Sequence, residues 1–261
     1  MLIEVTDPAD HRLRDFTGLR DSQLRRSGDR FIAEGVKIIE RAFAAGCRPR
    51  GMLLQPRWLK GLAPLLEAWP ELAVYVASEE MIERISGFHV HRGALGSFDR
   101  PQEVPWALVK DASRVLVCEE IVDHTNLGAI VRVALGLGWD ALVLSHGSAD
   151  PLYRRAVKAS MGGSLELPWL RLGPGEGPER LRAAGFTVVA ATLSPLAVEL
   201  PGIQVPERVA LLLGTEGAGL SAAWQEGADL HVRIPMTDRV DSLNVATAAA
   251  ILAYELRPAD G

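Results

Sequence analysis

Five apolar runs, at residues 115–118, 141–145, 187–191, 209–213 and 231–234, alternate with helix-like stretches through the second half of the chain. The central runs are rich in Val, Leu and Ala and are almost unbroken, with no alternation of apolar and polar residues. That is the pattern of strands buried on both faces, and such strands occur in parallel sheets covered by helices. Helical patterns fit at 127–137, 152–159, 178–184 and 243–256. Strand and helix in regular alternation predict an α/β fold with a largely parallel sheet.

The first part of the chain has the same ingredients in a smaller set. Strands are expected at 31–33, 51–55 and 73–77, with a helix at 36–45 stopped by Gly46. Ser78 is placed to cap a further helix running to Ile85. Residues 99–113, with Pro101 and Pro105 among charged side chains, lack a period and read as a linker. Two domains are therefore expected, a smaller α/β domain with its linker over 1–107 and a larger one over 108–261.

Charge is distributed unevenly. Between His11 and Lys60 stand ten arginines and two lysines against five carboxylates, a net +7, in a chain of 261 residues whose total is −5. The remainder thus carries −12. A basic segment in an acidic protein fits a local footprint for a polyanion, although an Arg-rich solvated helix face would give the same count. Cys47 and Cys118 are the two cysteines of the chain and form no CxxC, so neither a disulfide framework nor a cysteine zinc site is expected, and a reducing cytoplasmic setting fits. His89 and His91 make an H-x-H pair without a third ligand, so no metal is expected. No apolar run approaches the length of a membrane span, and none is expected to insert.

Three segments carry polar residues that a plain scaffold would not need, and each follows a strand. In the first, Asn126 is placed to cap a helix, Gly128 permits close backbone approach, and Arg132 lies six residues further on. At the C-terminal edge of a parallel sheet such an arginine is well placed to meet an anion. The second, Leu211-Leu-Leu-Gly-Thr-Glu-Gly-Ala-Gly-Leu220, surrounds Glu216 with three glycines, which brings bare backbone close to a ligand; it lacks the Lys-Ser/Thr of a P-loop. The third runs from Ile234-Pro-Met236 to Ser242-Leu-Asn-Val245 and an Ala-rich helix, where Ser242 is the expected cap and Asn244, just inside, suggests a ligand contact. Gly136-Leu-Gly138-Trp-Asp-Ala141 matches a dinucleotide fingerprint in letters only, because its glycines end a helix and precede a strand.

Together and in this order the three segments resemble the motifs of the SpoU/TrmH family of RNA ribose 2′-O-methyltransferases, within the SPOUT superfamily. The resemblance spans residues 108–258. Phe31-Ile-Ala-Glu-Gly-Val-Lys37 also resembles the start of that family's N-terminal, ribosomal-protein-like RNA-binding domain. The resemblance implies a C-terminal sheet whose chain end threads a trefoil knot around S-adenosylmethionine, although nothing in the periodicity shows a knot. The cofactor would lie among Thr192, Leu193, Gly214, Thr215, Glu216, Gly217, Ile234, Met236 and Leu243. RNA would be held by Arg25, Arg26, Arg30 and Lys37. A homodimer is implied, with the site near the subunit interface. Asp238 stands where the family usually has Gly, a departure beside the cofactor loop.

Methyl transfer to a ribose 2′-hydroxyl needs a proton acceptor or stabilisation of the developing alkoxide. The family account makes Arg132 the base. A guanidinium with a pKa above about 12 can instead remain charged and stabilise the oxyanion or an RNA phosphate. The sequence leaves both roles open. The resemblance implies that Asn126 and Glu216 orient Arg132 or the ribose, and that Ser242 and Asn244 bind phosphate and shape the pocket. Ribosomal RNA is the expected substrate, with transfer RNA, or a non-catalytic RNA-binding role in ribosome assembly, as alternatives.

Overall fold

The computed structural model describes residues 1–19, 28–90, 93–194, 197–200, 203–237 and 239–257. The chain forms two compact units. The first is Met1–Pro101 together with Leu152–Leu165, and the second is Gln102–Pro151 with Glu166–Gly261. The linker read at 99–113 is thus divided. Its start completes a strand of the first unit, and its end folds as a short helix of the second. The segment from Leu152 to Leu165 lies in the second half of the sequence and packs with the first.

The first unit holds strands β1 (Leu2–Glu4), β2 (Arg30–Glu34), β3 (Pro49–Leu54), β4 (Val74–Val76) and β5 (Ala94–Asp99), with helices α1 (Val36–Ala44), α2 (Leu59–Glu67) and α3 (Glu79–Ser86). The sheet order is β1-β4-β3-β5-β2, and it is mixed: β4 runs parallel to β1 and β3, while β5 is antiparallel to β3 and β2. Leu13, Phe16, Ile32, Leu53 and Leu95 form its core. Ser78 caps α3 by accepting from the Met81 amide at 3.2 Å, as the sequence led one to expect, and Gly87 ends the helix in a left-handed conformation. β1 and β5 were not legible in the sequence, the first being short and the second, ALGSFD, carrying Gly, Ser and Asp.

The second unit continues with α4 (Trp106–Lys110), β6 (Arg114–Cys118), α5 (His124–Gly136) and β7 (Ala141–Leu144). Helix α6 (Arg154–Ala159) belongs to the first unit. Then follow β8 (Trp169–Arg171), α7 (Pro178–Ala183), β9 (Thr187–Ala191), β10 (Val198–Glu199), β11 (Val209–Leu213), α8 (Ala222–Glu226), β12 (Leu230–Arg233) and α9 (Val245–Glu255). All seven strands are parallel, in the order β10-β12-β9-β11-β6-β7-β8. Every residue of the central pair β6 and β11 is buried. Each Val or Leu so buried contributes about 1.5–3 kcal/mol, which is why these runs show no polar face.

The order places the site. From β6 the chain steps outward through β7 to β8, then crosses to β9 on the other side, and β11 fills the place between β9 and β6. The strand order therefore reverses at β6 and β11, and in open parallel sheets ligands bind at the carboxyl ends of strands at such a reversal. The end of the chain is fastened to this centre: Trp139 donates its indole N–H to the Ala253 carbonyl at 3.1 Å, and the buried Arg114 donates to the Leu256 carbonyl at 2.7 Å.

Candidate functional site

The carboxyl ends of β9, β11 and β12 open into one cavity of about 680 Å³. All nine side chains or backbones expected to hold the cofactor line it: Thr192 and Leu193 after β9, Gly214 to Gly217 after β11, Ile234 and Met236 after β12, and Leu243 before α9. Ser242 lines it as well. A smaller recess of about 300 Å³ shares Leu193, Ile234, Met236 and Asp241 with it and adds Arg233, Thr237 and Val240.

The glycine loop after β11 is a closed excursion. Thr215 and Gly219 exchange backbone hydrogen bonds at 3.0 Å in both directions. Gly217 and Gly219 have φ of +94° and +69°, where a side chain is strained. Gly214 is needed for a different reason: a Cβ there would lie 2.2 Å from the Gly219 carbonyl carbon and 2.3 Å from the Leu220 nitrogen, both backbone. Three glycines thus allow the chain to double back on itself and present Glu216, exposed, beside the cavity.

Glu216 is the centre of a polar triangle. Its Oε1 accepts from Asn126 Nδ2 at 2.9 Å and from Asn244 Nδ2 at 2.5 Å, and Asn244 Nδ2 also donates to Asn126 Oδ1 at 3.0 Å. Residues 90 and 118 positions from Asn126 are thereby joined at one point. Two capping expectations are corrected. Helix α5 starts at His124 and is capped by Asp123, whose Oδ1 accepts from the Asn126 amide at 2.8 Å, so Asn126 stands in the first turn with its side chain free for the triangle. Helix α9 is capped by Asn244, not Ser242, and its Oδ1 accepts from the Ala246 and Thr247 amides at 2.9 and 3.3 Å. The cap fixes the Asn244 amide so that its NH2 faces Glu216, and one residue serves both the helix and the site.

Arg132 lies on α5 with its side chain exposed, and among the described residues it makes no hydrogen bond or ion pair. The structure does not join it to Asn126 or Glu216. Of the residues expected to bind RNA, Lys37 is exposed on α1, while Arg30 is mostly buried, 3.7 Å from Asp15 and 3.9 Å from Asp29. Arg25, Arg26 and Asp238 lie outside the described residues. Burial pushes the Cys118 thiol up to about 12, so this cysteine at the end of β6 is an inert core residue. No group of three or more His, Cys, Asp or Glu among the described residues is arranged to hold a metal.

Two residues at the site were missed in the sequence. Glu119 is buried and accepts from the Ser221 amide at 2.8 Å and from Ser221 Oγ at 2.5 Å. Gln225 lines the cavity and donates to the Leu220 carbonyl at 2.8 Å. The signal for Glu119 was present: a carboxylate directly follows the buried run VLVC.

The SpoU rRNA Methylase family matches residues 113–254, which is the sheet, the cavity and the triangle. An uncharacterized tRNA/rRNA methyltransferase of Mycobacterium tuberculosis is 42% identical over 97% of this chain and 90% of its own length. A 23S rRNA (guanosine(2553)-2′-O)-methyltransferase of Bacillus subtilis is 28% identical over 97% of this chain and 99% of its own. The crystal structure of an AdoMet-bound rRNA methyltransferase from Sinorhizobium meliloti superposes with a TM-score of 0.82 at 28% identity, covering 98% of this chain and 97% of that one. The family match covers the strand ends, the glycine loop and the Asn-Glu-Asn triangle of this chain, and with a relative 42% identical over almost its full length, the chain belongs to the SpoU rRNA methylase family.

Proposed function

We propose that this protein transfers a methyl group from S-adenosylmethionine to a ribose 2′-hydroxyl of ribosomal RNA. The observation that carries the reading is the convergence of loops from Thr192 to Leu243 on a single cavity, edged by the triangle at Glu216. The cavity suits the cofactor. Its volume of about 680 Å³ is in the range typical of cofactor sites, roughly 300–1,000 Å³, and it combines apolar walls at Leu193, Ile234, Met236 and Leu243 with the bare backbone of the glycine loop. When bound, S-adenosylmethionine supplies an electrophilic methyl group on sulfur.

The chain's own residues do the rest. Thr192, Leu193, Ile234, Met236 and Leu243, with the 214–217 backbone, would hold the cofactor. The triangle holds Glu216 with one oxygen committed to two amides, leaving Oε2 to accept from the ribose or from an arginine. Arg132 projects from α5 with no partner among the described residues, and its role in this reading is stabilisation of the developing 2′-oxyanion. Ser242 at the cavity rim donates to an RNA phosphate. The first unit holds RNA through Lys37 and the neighbouring basic segment, including Arg25 and Arg26.

Three finer features belong to the same reading. The chain end after β12 threads the cofactor loops as a trefoil knot, supported by the insertion of β11 between β9 and β6. The protein is a homodimer. An apolar groove of about 520 Å³ between α5 and α9, with Val133, Leu137, Ile251 and Tyr254, leaves Ile251 38% and Tyr254 51% exposed; Val133 adjoins Arg132 in sequence, and a second copy covering the groove would bring Arg132 into an enclosed site. Two unbridged cysteines fit a reducing cytoplasm, and no helix among the described residues is long and apolar enough to cross a membrane. The B. subtilis relative, matched along its whole length, supports ribosomal over transfer RNA.

Incubation with methyl-labelled S-adenosylmethionine and total RNA, followed by size separation and alkaline hydrolysis, tests this. Label in 23S or 16S RNA within an alkali-resistant dinucleotide is the expected result. Label in transfer RNA alone changes the substrate. Label in an alkali-sensitive nucleotide overturns ribose methylation, and no label overturns the enzyme.

A further inference from the structure

We infer that Glu119 is the positioning residue of the cofactor cavity, holding both ends of the glycine loop from behind without lining the cavity itself. The backbone N–H of Glu119 donates to the Leu213 carbonyl at 2.8 Å, the last residue before the loop. Its carboxylate accepts from the amide and the hydroxyl of Ser221, the first residue after it, at 2.8 and 2.5 Å. One residue at the end of β6 therefore fixes where the 214–220 excursion leaves the sheet and where it returns. Between those points the Thr215–Gly219 bridge fixes its shape, and Glu216 stands at its tip.

Architecture alone does not ask for a carboxylate here. Glu119 is 5% exposed, and its oxygens bond two neutral donors of one residue. Burying a charge is costly unless its hydrogen bonds are made, and an apolar residue of similar size would fill this buried position at lower cost. What the carboxylate adds is direction, since two acceptor oxygens bind the amide and the hydroxyl of Ser221 together and set the return of the loop in one orientation. Preorganisation of this kind lowers the ordering that a ligand must impose on its site.

The inference rests on the reading of the cavity as the cofactor's, and the experiment separates the two. S-adenosylhomocysteine, the neutral product, is titrated calorimetrically into the full-length wild-type protein, Glu119→Ala, Glu119→Gln, Ser221→Ala and the Glu119→Ala/Ser221→Ala double variant, each with its melting temperature. Loss of a hydrogen bond to a carboxylate corresponds to about a tenfold change or more, so Glu119→Ala is expected to weaken binding at least about tenfold. Ser221→Ala is expected to do so by less, Glu119→Gln to restore part of the loss, and the double variant to bind no worse than Glu119→Ala. In turnover, KM for the methyl donor rises while KM for RNA stays at the wild-type value.

Wild-type affinity in folded Glu119→Ala, additive losses in the double variant, or a parallel loss of RNA affinity would each overturn the positioning role. Where Glu119→Ala does not fold, unchanged affinity in both Glu119→Gln and Ser221→Ala does the same. A wild-type protein that fails to bind the product overturns the cofactor reading and this inference with it.

Discussion

In the first unit the charged groups are engaged with one another, whereas in the second the polar groups at the strand ends are arranged around a space. Arg50 reaches Asp15 at 3.0 Å, Asp29 at 2.9 Å and Asp99 at 3.4 Å, and Arg30 approaches the first two. Glu34, almost wholly buried, takes Arg154 at 2.6 Å and Lys158 at 2.5 Å and so fastens α6 to β2. At the other sheet, the buried Glu119 takes only a serine, Glu216 takes two asparagine amides, and Arg132 is left to solvent. Charge in the first unit is therefore partly architecture; the second unit has structural pairs too, such as Arg180 with Glu176 at 2.5 Å, but at its strand ends Arg132 is kept for a ligand. Part of the +7 counted over the basic segment is cancelled within the fold before any polyanion arrives.

The largest effect expected from this contrast is at Arg132. Replacing it with alanine removes a cation that the fold does not use, so turnover should fall by about a hundred- to a thousandfold, roughly 3–4 kcal/mol of transition-state stabilisation. Melting temperature and affinity for S-adenosylhomocysteine should stay at wild-type values. Single-turnover transfer of a labelled methyl group, with calorimetry alongside, measures both, and a variant that melts early would make Arg132 a structural residue after all.

Glu34→Ala reverses the pattern. Removing one partner of a buried ion pair strands the others, and about 3 kcal/mol of unfolding free energy should be lost; half-exposed Lys158 can turn to water, while Arg154 over the Phe88 ring cannot easily do so. Urea denaturation followed by tryptophan fluorescence reads this loss. Product affinity that fell in proportion would show that the two units do not handle charge independently.

How much of this was legible depended on the kind of signal. The buried strands β6, β9 and β11 were visible because a strand covered on both faces has no polar positions to obscure it. The short edges β1, β8 and β10 were not, since two or three residues carry no period. The residues that the family resemblance assigned to the cofactor were legible as a set that lines one cavity, and the glycines by their spacing. Ser78 was legible as a cap, but the caps of α5 and α9 were not: Ser, Asp and Asn all suit an N-cap, and which of Ser242 and Asn244 takes that place is decided by the hydrogen bond to Glu216, a contact 28 positions away that no local rule contains. The basic segment was read as a footprint because a charge count cannot see partners. Arg30 has them, and Lys37 is exposed.

Gly214 offers a smaller effect on the second unit. A methyl group there meets backbone at 2.2–2.4 Å, and backbone cannot swing aside as a side chain would. Overpacking of this kind costs about 1–3 kcal/mol, and since the strain falls on the loop that lines the cavity, Gly214→Ala should weaken product binding by about ten- to a hundredfold. Gly217→Ala, which meets nothing within 4 Å but has positive φ, should cost less. Equal losses at the two positions would mean that conformation, not close approach, decides the glycines of this loop.

The smallest expected effect divides the first unit's own arginines and lysines. A side chain that neutralises an RNA phosphate releases counterions, so its removal lowers the slope of log affinity against log salt by about 1. Lys37→Ala should show that change with an unaltered unfolding free energy. Arg30→Ala should do the reverse, leaving the salt slope in place while lowering stability, because its guanidinium already faces Asp15 and Asp29. Filter binding of the full protein to ribosomal RNA at four or five salt concentrations separates the two. If Arg30→Ala flattened the slope as much as Lys37→Ala, the carboxylates beside it would have to yield to RNA, and Arg30 would be held in reserve for a ligand just as Arg132 is in the second unit.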